Sequence, residues 1–238
     1  MPILVTQEDG VRYLQFGAHW VQGAMRINRP WSLELDYARD MMFPLLLRPR
    51  GWPRRVLAIG LGAAALAKFL YRHAPGCAID IVEIEPEVVL TAYQFFGLPE
   101  DARRISMHIG DGYDFVAAAR RRYDFILLDG FDAKVEAGRL DSPAFYRNCH
   151  ALLRRGGIVA ANLVSRRGRP AASIDRLRGA FDDCVLVLPR NDANTVALAA
   201  RDRPAFVPGD VLLRRADALR ARTGLNLRPT LERMFRRR

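Results

Sequence analysis

Three acidic residues, Glu83, Asp111 and Asp129, each follow or close an apolar run of strand type, and the three runs are consecutive along the chain. In an open parallel sheet, ligands gather at the carboxyl ends of the strands, so carboxylates placed there converge on one crevice. Such a set suits a cationic ligand: a sulfonium, an amine, or both. Asp129 is placed to orient an amine nucleophile or accept its proton, a contribution of about 10²–10⁴ in rate. Asp132, in Asp129-Gly130-Phe131-Asp132, either binds a second amine or caps its loop.

A glycine turn precedes these acids: Gly60-Leu61-Gly62-Ala63-Ala64-Ala65. Gly60 and Gly62 let the backbone turn sharply and approach a ligand, and the helix that follows offers free N–H groups. Such turns also occur where a strand merely packs tightly on a helix. Glu83 lies 21 residues after Gly62, where a carboxylate can accept both hydrogens of a ribose diol; otherwise it is a strand-end acid in solvent. Asp111 stands between Gly110 and Gly112. It can accept from an adenine amino group or cap the next helix, and the two roles are compatible. The cofactor-binding set is therefore Gly60, Gly62, Glu83, Asp111, Gly112 and Asp129.

Other chemistries find no footing. His19, His73, His108 and His150 show no metal-ligand spacing, and His108, within an apolar strand, reads as a core histidine. Cys77, Cys149 and Cys184 form no C-x-x-C pair and read as small core or near-core residues, so neither a disulfide framework nor a zinc site is expected. There is no P-loop, nucleophile elbow or H-E-x-x-H motif.

The elements that must position the acids follow from apolar periodicity. Short β-rich runs at 3–6, 11–16 and 20–27, separated by Asp9-Gly10 and Gly17, predict a β-meander. A helix capped by Ser32 is expected next, with Glu34 in its first turn and Leu35, Met42 and Leu46 near one face. From Arg55 onward, buried-strand runs at 55–60, 78–84, 105–110 and 123–129 alternate with helical stretches near 63–73, 86–96 and 112–120. Strands at 156–163, 184–189 and 194–200 follow helices near 142–154 and 171–181. Alternating βα units give a mostly parallel sheet covered on both faces. The loop at 190–193 is too short for a helical crossover, so the last two strands pair as an antiparallel hairpin. The fold class is α/β: a Rossmann-like fold of S-adenosylmethionine-dependent methyltransferase type, with a seven-stranded sheet and an antiparallel last strand. Residues 1–30 form the meander, 31–200 the transferase domain and 201–238 a basic extension, with a helix near 209–222 packing through Val211, Leu212, Ala216 and Leu219.

Of 238 residues, half are hydrophobic and 26% charged, which supports a substantial core. No uncharged stretch reaches the roughly 18 residues of a membrane span, and the first ten residues lack a signal pattern. A soluble, cytoplasmic protein is expected. Most of the net charge of +11 lies in the last 38 residues, with eleven arginines against four acids. Without an aromatic-studded basic motif, this charge does not call for nucleic acid as a partner.

The sequence resembles the spermidine synthase (polyamine aminopropyltransferase) family. VLAIGLG (56–62), VEIEPEVV (82–89), IGDGYDFV (109–116), YDFILLDGFD (123–132) and FYRNCHALLRRGGIVAANL (145–163) are similar to that family's motifs in order and spacing, and the meander is what the family adds before its transferase domain. The resemblance runs from about Val21 to Ala200. It implies that Glu83 holds ribose, Asp111 adenine, Asp129 the acceptor amine and Asp132 the rest of the substrate. Tyr37 looks like the tyrosine of the family's Y-H/Q-E motif and would line the site. Decarboxylated S-adenosylmethionine or S-adenosylmethionine, a small-molecule amine and a homodimer are implied with it; no metal is. The sequence departs from the family at Ala63, in place of an aspartate that grips the aminopropyl amine. It departs also at Ala38 and Arg39 after Tyr37, at Arg26 in place of a glutamine, and at Gly130, Phe131 and Ala133 in place of two serines and a proline. One carboxylate fewer and two arginines more should weaken a polycation pocket. The expected reaction is aminopropyl transfer; methyl transfer on the same scaffold and an inactive nucleoside-binding homologue are the alternatives.

Overall fold

A computed structural model describes residues 2–17, 20–130, 138–164, 170–189, 194–203 and 206–236. Three antiparallel strands come first: β1 (Ile3–Glu8), β2 (Val11–Phe16) and β3 (Trp20–Arg26). Two short helices follow, α1 (Asp36–Met41) and α2 (Pro44–Leu47). The βα series then runs β4 (Arg55–Ile59), α3 (Ala65–His73), β5 (Ala78–Glu83), α4 (Pro86–Phe96), β6 (Ile105–Ile109), α5 (Gly112–Ala118) and β7 (Tyr123–Leu128). A single 3-10 turn at Gly138–Asp141 leads into α6 (Pro143–Leu152), β8 (Leu153–Val164), α7 (Ala171–Ala180), β9 (Val185–Val187) and β10 (Asn194–Ala200). The extension carries α8 (Gly209–Thr223) and α9 (Arg228–Phe235).

Strands β4 to β10 form one sheet in the order β6-β5-β4-β7-β8-β10-β9. The first five strands are parallel; β10 runs antiparallel to both β8 and β9 and inserts between them. The hairpin and the parallel remainder agree with expectation. Residues alternate between the two faces, as the period of a strand requires. Val56, Ala58, Ile79, Ile81, Phe125 and Leu127 pack with α1, α3, α4 and the C-terminal helices. Leu57, Ile59, Val82, Ile126 and Leu128 pack with α5, α6 and α7. Order reverses between β4 and β7, so the carboxyl ends of those strands open the crevice where ligands bind in this class of sheet.

Three expectations change. The helix expected from a Ser32 cap begins later, at Asp36, with no side-chain cap. The Ser32 N–H closes a turn on the Arg29 carbonyl, and Pro44, which cannot donate, divides the segment into two short helices. His108 is exposed rather than buried, because β6 is an edge strand; its ring lies 4.8 Å from that of Phe115, tilted by 49°. In α8, Leu212, Ala216 and Leu219 are buried while Val211 is half-buried, and α9 adds a second C-terminal helix. Cys77 and Cys149 are buried and Cys184 is half-buried, all three unpaired. Among the described residues no helix is long and apolar enough to cross a membrane.

Candidate active site

The glycine turn is forced by close approach. Gly60 has φ +90°, and a Cβ there would lie 2.3 Å from the Asp129 carbonyl oxygen, so only glycine lets the ends of β4 and β7 abut. The Asp129 N–H donates to the Ile59 carbonyl at 2.9 Å, locking the acid's backbone against the turn. Gly62, at φ +52°, passes under β3, with the Gln22 carbonyl 3.0 Å from where a Cβ would stand. The meander therefore roofs the turn. Gly112 opens α5 directly over Ile59.

Glu83 is 8% exposed and knits the turn to β5. Its carboxylate accepts the Leu61 N–H at 2.8 Å and the Glu85 N–H at 3.0 Å. Burial pushes its carboxyl above the usual range, against the pull of those backbone donors. Each carboxylate oxygen retains an acceptor site, enough for a diol. Asp111 caps α5 through the Tyr113 N–H at 2.7 Å, as one of its two expected roles. Its other oxygen lies 3.1 Å from Arg139, which also pairs with Asp114 at 2.7 Å and covers the Tyr113 ring at 4.0 Å.

Asp129 is the meeting point of three elements. Its Oδ2 accepts the Tyr37 hydroxyl of α1 at 3.2 Å, and its Oδ1 accepts the Asn162 amide of β8 at 2.8 Å. Asn162 is held in turn by Asn194 of β10 at 3.0 Å. Burial raises the Asp129 carboxyl above the usual aspartate range, the two side-chain donors pull it down, and the charge of Glu83 adds to the rise. Burial and then the charge of Asp129 keep the Tyr37 phenol protonated far above its ordinary range, so it acts as a fixed donor. A small cleft, partly open to solvent, lies against this pair, walled by Gln22, Leu35, Ala63 and Leu66.

The structure thus brings Tyr37, Gly60, Gly62, Glu83 and Asp129 around one turn, with Asp111 and Gly112 at the next strand end. Asp132 lies outside the described residues. Arg26 and Arg39 do not line the cleft: Arg26 pairs with Glu34, and Arg39 binds Asp36 at 2.7 Å and the carbonyls of Leu33 and Glu34. Their charges are neutralised on the strand-to-helix connection, so the expected weakening by two arginines reduces to the loss of a carboxylate at Ala63. Asn162 and Arg139 were not anticipated. A lone amide in the apolar run GGIVAANL was the available signal for Asn162, since a buried polar side chain demands a partner. Among the described residues no cluster of three or more His, Cys, Asp or Glu could hold a metal.

Comparison with known proteins gives a consistent neighbourhood. A family described as the spermine/spermidine synthase domain matches residues 36–165. A polyamine aminopropyltransferase from Chromobacterium violaceum is 33% identical over 222 residues, covering 93% of this chain and 84% of the relative. One from Neisseria meningitidis is 31% identical over 223 residues, with the same coverage. Among solved structures, a probable spermidine synthase from Corynebacterium glutamicum superposes with a TM-score of 0.76 at 16% identity, covering 94% of this chain and 91% of the other. Human Methyltransferase-like protein 13, in complex with SAH, superposes with a TM-score of 0.70 at 25% identity, covering 80% and 93%.

Proposed function

The chain belongs to the spermine/spermidine synthase family, and from that premise we propose that it transfers an aminopropyl group from decarboxylated S-adenosylmethionine to a small amine held at Asp129. One observation carries this reading: a half-buried carboxylate with a raised pKa faces the cleft, its orientation fixed by Tyr37 and Asn162. The co-substrate supplies a sulfonium whose neighbouring carbon accepts the amine lone pair as the carbon–sulfur bond breaks, its electron pair remaining on sulfur. Asp129 orients the attacking nitrogen and takes up the proton it sheds. The Tyr37 hydroxyl and Asn162 amide keep the carboxylate from rotating, so much of the rate comes from positioning. Glu83 holds the ribose diol and Asp111 the adenine amino group; Gly60, Gly62 and Gly112 let backbone and ligand approach. Asp132 is assigned to a second amine of the acceptor.

Incubation with decarboxylated S-adenosylmethionine and a panel of mono- and diamines, followed by mass spectrometry, tests the assignment. Methylthioadenosine and an aminopropylated amine are expected. A second reading, methyl transfer from S-adenosylmethionine, is favoured by Ala63, which leaves no acid at that wall for the aminopropyl amine; adenosylhomocysteine would be its product. Nucleoside binding without turnover across the panel would mark an inactive homologue.

The division into a meander at 1–30, a transferase domain at 31–200 and an extension at 201–238 is retained as the working organisation. A homodimer is proposed on the family resemblance, and sedimentation velocity tests it. Nucleic acid is not assigned, because Arg214, Arg215, Arg228 and Arg233 of the basic extension are spent on Asp210, the Leu46 carbonyl, Asp217 and Asp40.

A further inference from the structure

Tyr37 reaches Asp129 from a helix that cannot hold its own orientation. α1 has six residues and no side-chain cap, and a helix that short is unstable in isolation. Its placement is imposed from outside. Asp40 lies one turn beyond Tyr37, where residues three apart share a helix side, and it is 2% exposed. Its carboxylate accepts the Thr230 hydroxyl, and Arg233 Nη2 lies 3.0 Å from one oxygen and 3.2 Å from the other. These two described partners belong to α9. Arg233 is fixed as well, its Nε donating to the Pro189 carbonyl at 2.9 Å. α9 is itself seated through Leu227 and Leu231, which are fully buried. Breaking a buried pair by removing one partner is costly, so α9 adds a side-chain tie to the helix that delivers Tyr37, beside the packing of that helix on β8 and β10.

We propose that Arg233 and Thr230 of the C-terminal extension are positioning residues for the active site, holding Tyr37 against Asp129 through Asp40. The inference rests on the reading of Asp129 as the group that receives the amine. It gives the extension a part in the reaction, though none of its described residues lines the cleft.

The test is the titration of Asp129, followed by carboxyl-carbon NMR on the full chain, in wild type, Tyr37→Phe, Arg233→Met and the double variant. Glu83 is the other charge acting on Asp129 among the described groups, and it stays constant through the series. Loss of the tyrosine donor destabilises the ionised carboxylate, so Tyr37→Phe raises the Asp129 midpoint by about one pH unit. Arg233→Met is expected to raise it by at least half as much, to add nothing in the Tyr37→Phe background, and to be rescued by Arg233→Lys. A folded Arg233→Met protein whose Asp129 titrates as in wild type overturns the proposal. So does a shift that persists in the Tyr37→Phe background. Should Arg233→Met fail to fold, Thr230→Val, which keeps the ion pair, and Asp40→Leu combined with Arg233→Leu, which removes both members of that pair, are judged by the same two criteria. The titration needs no turnover. Absence of transfer in the wild type would therefore refute the function assigned to Asp129 while the positioning of Tyr37 is still decided.

Discussion

The glycine turn, which we propose as the nucleoside half of the site, and the surroundings of Asp129, which we propose as the acceptor half, are built by different means. Around Gly60, Gly62 and Glu83, the geometry is set by backbone: positive-φ glycines, a strand-end carboxylate and two main-chain N–H donors. Around Asp129, it is set by side chains from α1, β7 and β8, with a further layer in β10 and α9. The first kind depends on few residue types, glycine where the turn is crowded and φ is positive and an acid at the strand end, because its remaining contacts are main-chain groups. Side-chain-built sites change with each substitution, and here Ala38 and Ala63 line the cleft beside Tyr37 and Asp129. A single scaffold can thus keep its nucleoside site while its acceptor changes.

Substitutions can break this division, and the largest effect falls on the acceptor side. Asp129→Asn is expected to cut transfer by about 10²–10⁴ while nucleoside affinity, read by calorimetry, stays within roughly threefold. Loss of both together would show that the halves are not separable. The same variant removes a pH dependence. Because burial raises the folded-state carboxyl above its unfolded value near 3.9, Asp129 favours folding most where it is protonated. Its charged form costs stability as pH rises from the ordinary aspartate range through the raised value. Wild-type activity should rise over that same interval, above the usual aspartate range, as the carboxylate forms.

Next in size is Gly60→Ala. Its Cβ would press on the Asp129 carbonyl from a strained φ, a destabilisation of about 3 kcal/mol or more, visible as a lowered Tm. A smaller effect is expected for Glu83→Gln: a loss of roughly tenfold to a hundredfold in nucleoside affinity, from weakened charge-assisted hydrogen bonds of about 1.5–3 kcal/mol. Its kcat at saturation should change little. Smallest is Ala63→Asp, which should raise the preference for decarboxylated over carboxylated co-substrate by about tenfold in a competition assay.

The glycine turn and the strand-end acids were the part of the geometry legible in sequence, for a physical reason. Glycines at a strand end and acids at fixed offsets from them are local signals, and they put Gly60, Gly62, Glu83 and Asp111 at the carboxyl ends of β4, β5 and β6, where the structure has them. The acceptor half depends on contacts between distant residues. Tyr37 was read from resemblance, but Asn162, the other side-chain donor to Asp129, looks in sequence like one more residue of a buried strand. Asp40 meets Arg233 across 193 residues, and no periodicity encodes such a pairing. The segment after the meander failed for a local reason: Ser32 has the chemistry of a cap, yet Leu33 and Glu34 carbonyls are taken by Arg39 and the helix starts beyond them.

The most direct measurement is calorimetric titration of the purified protein with S-adenosylmethionine and its decarboxylated form, side by side. Aminopropyl transfer predicts at least tenfold tighter binding of the decarboxylated form, with Ala63 in place. Tighter binding of the carboxylated form would contradict it and assign the site to methyl transfer.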